Sequence, residues 1–74
     1  MWGWIMRLRD LREDNDYTQE QIAKYLNVKQ NTYSQYENGK RQITIEALIL
    51  LADLYNTSTD YILRRTDNPK PYER

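Results

Sequence analysis

Residues 18–41 read TQEQIAKYLNVKQNTYSQYENGKR, a pattern typical of two short helices joined by a tight turn. The first helix begins with a capping box, in which the Thr18 hydroxyl accepts from the third backbone N–H and Gln21 reaches back to the cap. Three apolar residues follow at helical spacing: Ile22, Ala23 and Leu26. Asn27 tolerates the left-handed backbone that a sharp turn requires. The pattern therefore predicts a helix that ends near this asparagine.

A second helix is predicted from Lys29 to Asn38, and Gly39 ends it as a C-terminal cap. Tyr33 and Tyr36 lie on its buried side. The other side carries amides and a short hydroxyl: Gln30, Asn31, Ser34 and Gln35. A polar outer face is the ordinary finding on a helix, so a merely solvated face is the alternative. Amides and hydroxyls after a tight turn from a capped helix instead favour a helix-turn-helix that inserts its second helix into a DNA major groove.

The segment resembles the phage-repressor (Cro/XRE-type) helix-turn-helix family, in which a pattern like T-Q-E-x-[LI]-A-x-x-L-[GN]-V-S-x-x-x-[IY]-S-x-[WY]-E-x-G-[KR] recurs. Residues 18–41 match nearly throughout, and the resemblance covers roughly residues 5–63. It implies an all-α fold, a compact five-helix bundle of the phage-repressor-like DNA-binding domain type. Lys29 departs from the pattern, because the family usually carries Ser or Thr there. This lysine weakens the helix start but adds a cation close to where a phosphate would lie.

Two sets of residues are expected to contact DNA. Base contacts are expected from Gln30, Asn31, Ser34 and Gln35, because amides pair bidentately with adenine N6 and N7. Phosphate contacts are expected from Gln19, Lys29, Thr32, Asn38, Lys40 and Arg41. The role of Gln19 follows from the resemblance, since the family has a phosphate-anchoring Gln at this position. The loop cations Lys40 and Arg41 could equally be solvated charges.

The resemblance also pairs Arg12 with Glu37, which would join the first helix of the domain to the second helix of the motif. The alternative is two unrelated surface charges. The first helix is predicted from about Trp4 to Asp14, with an apolar stripe of three residues: Ile5, Leu8 and Leu11. Arg7, Arg9 and Asp10 are predicted to face solvent.

Two more helices are predicted after the motif. Thr44 caps the first, which extends to about Tyr55 with a predicted core stripe of Ile45, Leu48, Ile49, Ala52 and Tyr55, and Leu51 alongside. Leu50 and Leu54 fall outside that stripe, four residues apart, and are a candidate dimer patch. Ser58 or Thr59 caps a last short helix from Asp60 to Arg65.

The predicted domain organisation has three parts. Residues 1–5, MWGWI, are an N-terminal extension or a cloning remnant, unless Trp4 and Ile5 pack onto the domain. Residues 6–65 form the helix-turn-helix domain, with the motif at 18–39. Residues 66–74 contain Asn-Pro and Lys-Pro steps and are predicted to be an extended or disordered tail.

Composition excludes several kinds of site. The 74 residues contain no cysteine and no histidine, so disulfides, thiolate metal sites and Ser/His or Cys/His nucleophiles are excluded. We predict no enzyme activity, cofactor or metal. The longest apolar run, residues 47–52, is too short to span a membrane, and no signal peptide is evident. The predicted location is therefore the cytoplasm.

The sequence as a whole predicts sequence-specific binding to double-stranded DNA. The expected form is a homodimer on a pseudo-palindromic operator, and the resemblance suggests a transcriptional repressor; no small-molecule effector is evident. Eleven basic and eleven acidic residues give zero net charge, which argues against DNA binding, although residues 27–43 are locally basic. The alternative is a protein-interaction module, such as an antitoxin-like or complex-assembly helix-turn-helix domain.

Overall fold

The computed structural model of the protein describes residues 6–71. Within this range the chain forms five α-helices and no β-strand: α1 Leu8–Asp14, α2 Gln19–Leu26, α3 Gln30–Asn38, α4 Ile45–Leu54 and α5 Thr59–Ile62. The predicted all-α, five-helix architecture is confirmed.

The unit formed by α2 and α3 has the predicted ends. The Thr18 hydroxyl accepts from the Gln21 N–H at 3.1 Å, and the Gln21 side chain accepts from the Thr18 N–H at 2.8 Å, so the capping box is complete. Asn27 ends α2 in the left-handed region with φ 59°. Gly39 ends α3 with φ 74°, where most side chains would be strained. Asn27 therefore marks the start of the turn, and Gly39 marks the end of α3.

The hydrophobic core takes side chains from every helix. Its fully buried large members are Leu8, Ile22, Tyr33, Leu51 and Ile62. Tyr33 and Tyr36 bury one side of α3, with their rings edge to face at 6.4 Å between centroids. Because these aromatic rings hold α3 on the core, the polar side of the same helix is directed away from it.

The prediction for the buried face of α4 is wrong in part. Ile45 and Ile49 were expected in the core, but 76% of Ile45 and 49% of Ile49 are exposed. The buried residues of α4 are Ala47, Leu48, Leu51 and Ala52. Apolar residues occupy nearly every side of this helix, so helical spacing alone does not select the face that packs. The complete burial of Leu51 shows which face the core accepts.

The first and last helices are shorter than predicted. Helix α1 begins at Leu8 because the N–H of Arg7 donates to the carbonyl of Ile62 at 2.9 Å, which ties the preceding chain to α5. The predicted positions Trp4 and Ile5 lie outside the described residues. Helix α5 is capped by Ser58, whose hydroxyl accepts from the Tyr61 N–H at 3.0 Å. It does not continue to residue 65, because Arg64 adopts a left-handed backbone with φ 62°.

The segment after α5 has no helix or strand as far as residue 71. It contacts the domain through the Thr57 hydroxyl, which donates to the Pro69 carbonyl at 2.6 Å, and through an ion pair between Arg7 and Asp67 at 3.0 Å. None of the helices found in residues 6–71 is both long and apolar enough to cross a membrane.

Candidate nucleic-acid interface

The polar side chains on the outer side of α3, called here the polar row (Gln30, Asn31, Ser34 and Gln35), are available to a ligand. Gln30 and Asn31 are exposed, and Ser34 and Gln35 are half-buried. Within residues 6–71 the side chains of these four residues make no hydrogen bond to the protein. At 100° per residue they share one arc of the helix, opposite Tyr33 and Tyr36. This face therefore presents a continuous set of amide and hydroxyl donors and acceptors.

Three cations flank this row at the two ends of α3. Lys29 precedes the helix in the N-cap position, with an exposed side chain and no capping hydrogen bond. The backbone N–H groups of Lys40 and Arg41 donate to the Gln35 carbonyl at 3.0 and 3.3 Å, which holds these residues against the C-terminal end of the helix. Both side chains are exposed, and neither forms an ion pair with another described residue. The arrangement suits phosphates on either side of a helix in a groove.

Asn38 lies on the polar side of α3, whereas Thr32 lies closer to its buried side. Asn38 is exposed one turn after Ser34, so it extends the polar row toward the C-terminal end. Thr32 is half-buried, and helical spacing puts it nearer to Tyr36 than to the row. The structure thus brings Asn38 together with the predicted base-contacting residues and leaves Thr32 at the margin.

An ion pair joins α1 to α3. The Arg12 Nε lies 2.7 Å from Glu37 Oε2, and Arg12 Nη2 donates to Oε1 at 3.3 Å, so the guanidinium binds both carboxylate oxygens. A third N–H of Arg12 donates to the Tyr17 carbonyl at 3.0 Å. The Glu37 side chain is 0% exposed and that of Arg12 is 13% exposed. The pair implied by the resemblance is therefore a buried bidentate contact that fixes α3 relative to α1.

Gln19 also contacts Glu37. Its Nε2 donates to Glu37 Oε1 at 3.1 Å, whereas the sequence analysis predicted a phosphate contact for this residue. The amide nitrogen carries two N–H groups, and this contact uses one of them. Gln19 can therefore bridge the buried carboxylate and an anion outside it.

The sequence analysis predicted that Arg9 faces solvent, without a partner in the domain. Its Nε lies 3.7 Å from Glu37 Oε1, while 59% of its side chain is exposed. Arg9 precedes Arg12 by three residues, so the two share one face of α1. That spacing was the signal in the sequence that could have placed Arg9 near Glu37.

Burial and the contacts around Glu37 shift the pKa of this residue and of its neighbours. Burial opposes ionisation of the carboxyl group, but hydrogen bonds, led by that from Arg12, outweigh burial and lower the pKa of Glu37. The same hydrogen bond raises the pKa of Arg12. Burial, followed by interaction with Glu37, raises the pKa of Tyr33. The pair is thus charged at neutral pH.

The lowered pKa of Glu37 should make the domain sensitive to acid. A carboxyl group with a lower pKa in the folded chain contributes stability that is complete above its unfolded pKa, about 4.3, and is lost as pH falls through the folded pKa. We expect the free energy of unfolding to fall as pH drops below that value, measured by urea unfolding at a series of pH values. The variant Glu37→Gln should lose this part of the pH dependence. A variant with the wild-type pH slope would contradict the assignment.

The candidate dimer patch is only partly exposed. Leu50 is 40% exposed, whereas Leu54 is half-buried and packs against the core. The carbonyl of Leu50 accepts from the Tyr25 hydroxyl at 3.2 Å, which connects α4 to α2. The expected pair of exposed leucines is therefore reduced to one. Two more exposed apolar side chains, Ile45 and Ile49, lie elsewhere on the helix.

Comparisons with known proteins agree on one family. A family model described as helix-turn-helix matches residues 8–62. The uncharacterized HTH-type transcriptional regulator YobD of Bacillus subtilis is 38% identical over 68 residues, which is 92% of this chain and 61% of that protein. The HTH-type transcriptional regulator ImmR of the same organism is 39% identical over 67 residues, 90% of this chain and 53% of that protein.

A third relative is named as a repressor. The cryptic phage CTXphi transcriptional repressor RstR of Vibrio cholerae is 39% identical over 49 residues, 66% of this chain and 44% of that protein. The chain spans between about half and three-fifths of the length of the first two relatives. No solved structure matched the chain.

Proposed function

Because the chain belongs to the phage-repressor (Cro/XRE-type) helix-turn-helix family, we propose that it binds double-stranded DNA sequence-specifically and regulates transcription. Helix α3 enters the major groove, and Gln30, Asn31, Ser34 and Gln35 contact base edges. Two copies bind a pseudo-palindromic operator and repress transcription by occupying it. A cytoplasmic location stays a prediction from the sequence.

The observation that carries this proposal is the polar row of α3. Four neighbouring side chains with amide or hydroxyl groups have no partner among the described residues, on a helix whose other side is fixed by Tyr33, Tyr36 and the Arg12–Glu37 pair. Gln and Asn form bidentate hydrogen bonds with adenine N6 and N7. Half-sites that contain A·T pairs are therefore favoured.

Phosphate contacts would set the position of α3 in the groove. Lys29 at one end and Lys40 and Arg41 at the other are suitably exposed, and Gln19 has a spare N–H. Since the whole chain has zero net charge, these local cations must supply the attraction. We expect weak binding to non-operator DNA and a shallow dependence on salt.

Replacing Lys40 with alanine should weaken binding to operator and non-operator DNA alike. A lysine that neutralises one phosphate releases about one counterion, so the slope of log K against log salt should become shallower by about one unit. Fluorescence anisotropy titrations at several salt concentrations measure both quantities. Lys24→Ala, on the exposed surface of α2, is the control for loss of one positive charge. A loss of affinity confined to one DNA sequence would contradict a phosphate contact.

The proposed function is tested by selection of bound duplexes from a random DNA pool at two salt concentrations. The expected result is an inverted repeat whose half-site centres lie about one helical turn apart, about 10 base pairs. Enriched adenines facing α3 would support the base contacts of Gln30, Asn31 and Gln35. Absence of any enriched sequence at low salt would reject the proposal.

A protein-interaction module is the second candidate function. It is favoured by zero net charge and by the exposed apolar side chains of α4. An antitoxin-like or complex-assembly role would leave the polar row of α3 as an ordinary solvated face. Co-purification of a protein partner together with a failed DNA selection would support it.

A further inference from the structure

Two donor side chains from α1 and α2 meet at one carboxylate oxygen of α3. The Gln19 Nε2 donates to Glu37 Oε1 at 3.1 Å, and the Arg9 Nε lies 3.7 Å from the same oxygen atom. Gln19 is the first residue of α2, and Arg9 belongs to α1. Because both side chains approach one atom, they are neighbours at the last turn of α3.

Glu37 leaves the hydrogen-bonding groups of Arg9 unused. Arg12 already binds both carboxylate oxygens, and Oε1 also accepts from Gln19. A distance of 3.7 Å is too long for a hydrogen bond, so charge attraction alone connects Arg9 to Glu37. A guanidinium carries five N–H groups, and none of those of Arg9 donates to an acceptor within residues 6–71. The carboxylate therefore holds Arg9 near Gln19 while its N–H groups stay available.

The charge of Arg9 is also available at this surface. Arg9 and Arg12 share the single negative charge of Glu37, and Arg12 is much the closer partner. Glu13 follows Arg9 by four residues, a spacing at which helix ion pairs form, but the two make no ion pair in the described part of the chain. Since 59% of the Arg9 side chain is exposed, an approaching anion can reach its guanidinium.

An exposed guanidinium beside a spare amide N–H suits a phosphate group. The planar fork of arginine can bind two phosphate oxygens at once. Gln19 has a second N–H, which its contact with Glu37 does not use. Because Glu37 already restricts Arg9, ordering this side chain on a ligand costs less conformational entropy than ordering an unattached surface arginine.

We propose that Arg9 and Gln19, called here the Arg9–Gln19 pair, bind one phosphate of the DNA backbone together. The inference rests on the proposed function and adds a contact to it. The family resemblance implied roles for Arg12 and Gln19 and none for Arg9. The pair attaches α1 and α2 to the same phosphate, in addition to the cations at the two ends of α3.

The alternative is that Arg9 only stabilises Glu37 within the folded chain. An exposed ion pair contributes little to the free energy of unfolding, and its loss would not change the number of counterions released on DNA binding. The salt dependence of DNA binding therefore separates the two roles.

The first measurement is the salt dependence of DNA binding by Arg9→Ala, followed by fluorescence anisotropy. The variant should raise the Kd for operator and scrambled duplex alike by at least about threefold at about 0.1 M salt. The slope of log K against log salt should become shallower by about one unit. Arg9→Lys keeps the charge but loses the fork, so it should keep the wild-type slope with an intermediate Kd. Lys24→Ala, on the exposed surface of α2, is the control and should keep the wild-type slope.

The second measurement identifies the phosphate. Operator duplexes carry a methylphosphonate in place of one phosphate at a time, which removes a single negative charge. At one position this change should weaken binding by wild type and have little effect on binding by Arg9→Ala or by Gln19→Ala, because the partner of that phosphate is already missing. Lys40→Ala removes a different predicted contact, so it should remain sensitive at that position.

Two results would overturn the Arg9–Gln19 pair. One is an Arg9→Ala variant with the Kd and the salt slope of wild type. The other is a scan in which Arg9→Ala and Gln19→Ala share no insensitive position. Either result leaves the proposed function standing if the DNA selection still enriches a sequence.

Failure of the proposed function has a different signature. A wild-type chain that binds duplexes without enriching any sequence loses the sequence-specific function, and it keeps the phosphate contact if Arg9→Ala still lowers the salt slope. A wild-type chain that binds no duplex at low salt rejects both proposals.

Discussion

Replacing Arg12 with alanine is expected to lower the free energy of unfolding by about 3–5 kcal/mol. The substitution leaves the Glu37 carboxylate, which is 0% exposed, without the guanidinium that binds both of its oxygens. The contacts from Gln19 and Arg9 remain, but a buried charge that has lost its bidentate partner is costly because the interior solvates it poorly. A domain of this length has a total stability of roughly 4–11 kcal/mol, so the variant should be largely unfolded on modest heating. Urea unfolding followed by circular dichroism measures the loss.

Arg9→Ala is the matched control for this prediction. Arg9 also approaches Glu37, but at 3.7 Å and with 59% of its side chain exposed. Exposed ion pairs contribute about 0–1 kcal/mol, so this variant should unfold nearly as wild type does. Equal losses in both variants would show that the cost comes from removing any positive charge near Glu37. In that case the buried bidentate contact would not be the cause.

The helix-turn-helix unit was predictable because its signals are local. Thr18 and Gln21 form a capping box within one turn, and Asn27 and Gly39 end their helices through their own backbone preferences. Each of these signals acts over four residues or fewer. Tertiary packing therefore did not alter the helix ends that these local signals predicted.

The packing face of α4 was not predictable in the same way. Its apolar residues surround the helix, so the choice between the Ile45 side and the Ala47 and Leu51 side depends on which other elements pack against it. Nothing in the local sequence carries that information. As a result Ile45 and Ile49, which helical spacing assigned to the core, are exposed apolar side chains.

The network around Glu37 shows a related limit for the candidate site. The family resemblance implied the contact with Arg12, which lies 25 positions before Glu37 in the chain. It did not imply that Gln19 and Arg9 also approach the same carboxylate. Distances between helices α1, α2 and α3 decide these contacts, and only the folded arrangement supplies those distances. The residue types of Gln19 and Arg9 predicted which groups they could bind, and the packing of the helices determined that both approach Glu37.

Replacing Gln30 with alanine is expected to cost about 1–3 kcal/mol of operator binding, roughly a 5- to 150-fold rise in Kd. Gln30 is the first residue of α3, is exposed, and has no hydrogen-bond partner among the described residues. Its removal should therefore leave the free energy of unfolding within about 0.5 kcal/mol of wild type. In a major groove the substitution would leave a base edge without the hydrogen bonds that the amide makes. The loss of affinity is therefore expected for the operator that carries the matching base.

The distinguishing measurement for Gln30→Ala is the ratio of affinities for the selected operator and for a scrambled duplex at one salt concentration. A base contact lowers that ratio, because scrambled DNA gains nothing from the amide, whereas a phosphate contact lowers both affinities together. Asn68→Ala, which removes an exposed amide from the segment after α5, is the control and should leave the ratio unchanged. If Gln30→Ala also leaves it unchanged, the start of α3 does not read bases, and specificity must come from Asn31, Ser34 and Gln35 further along the helix.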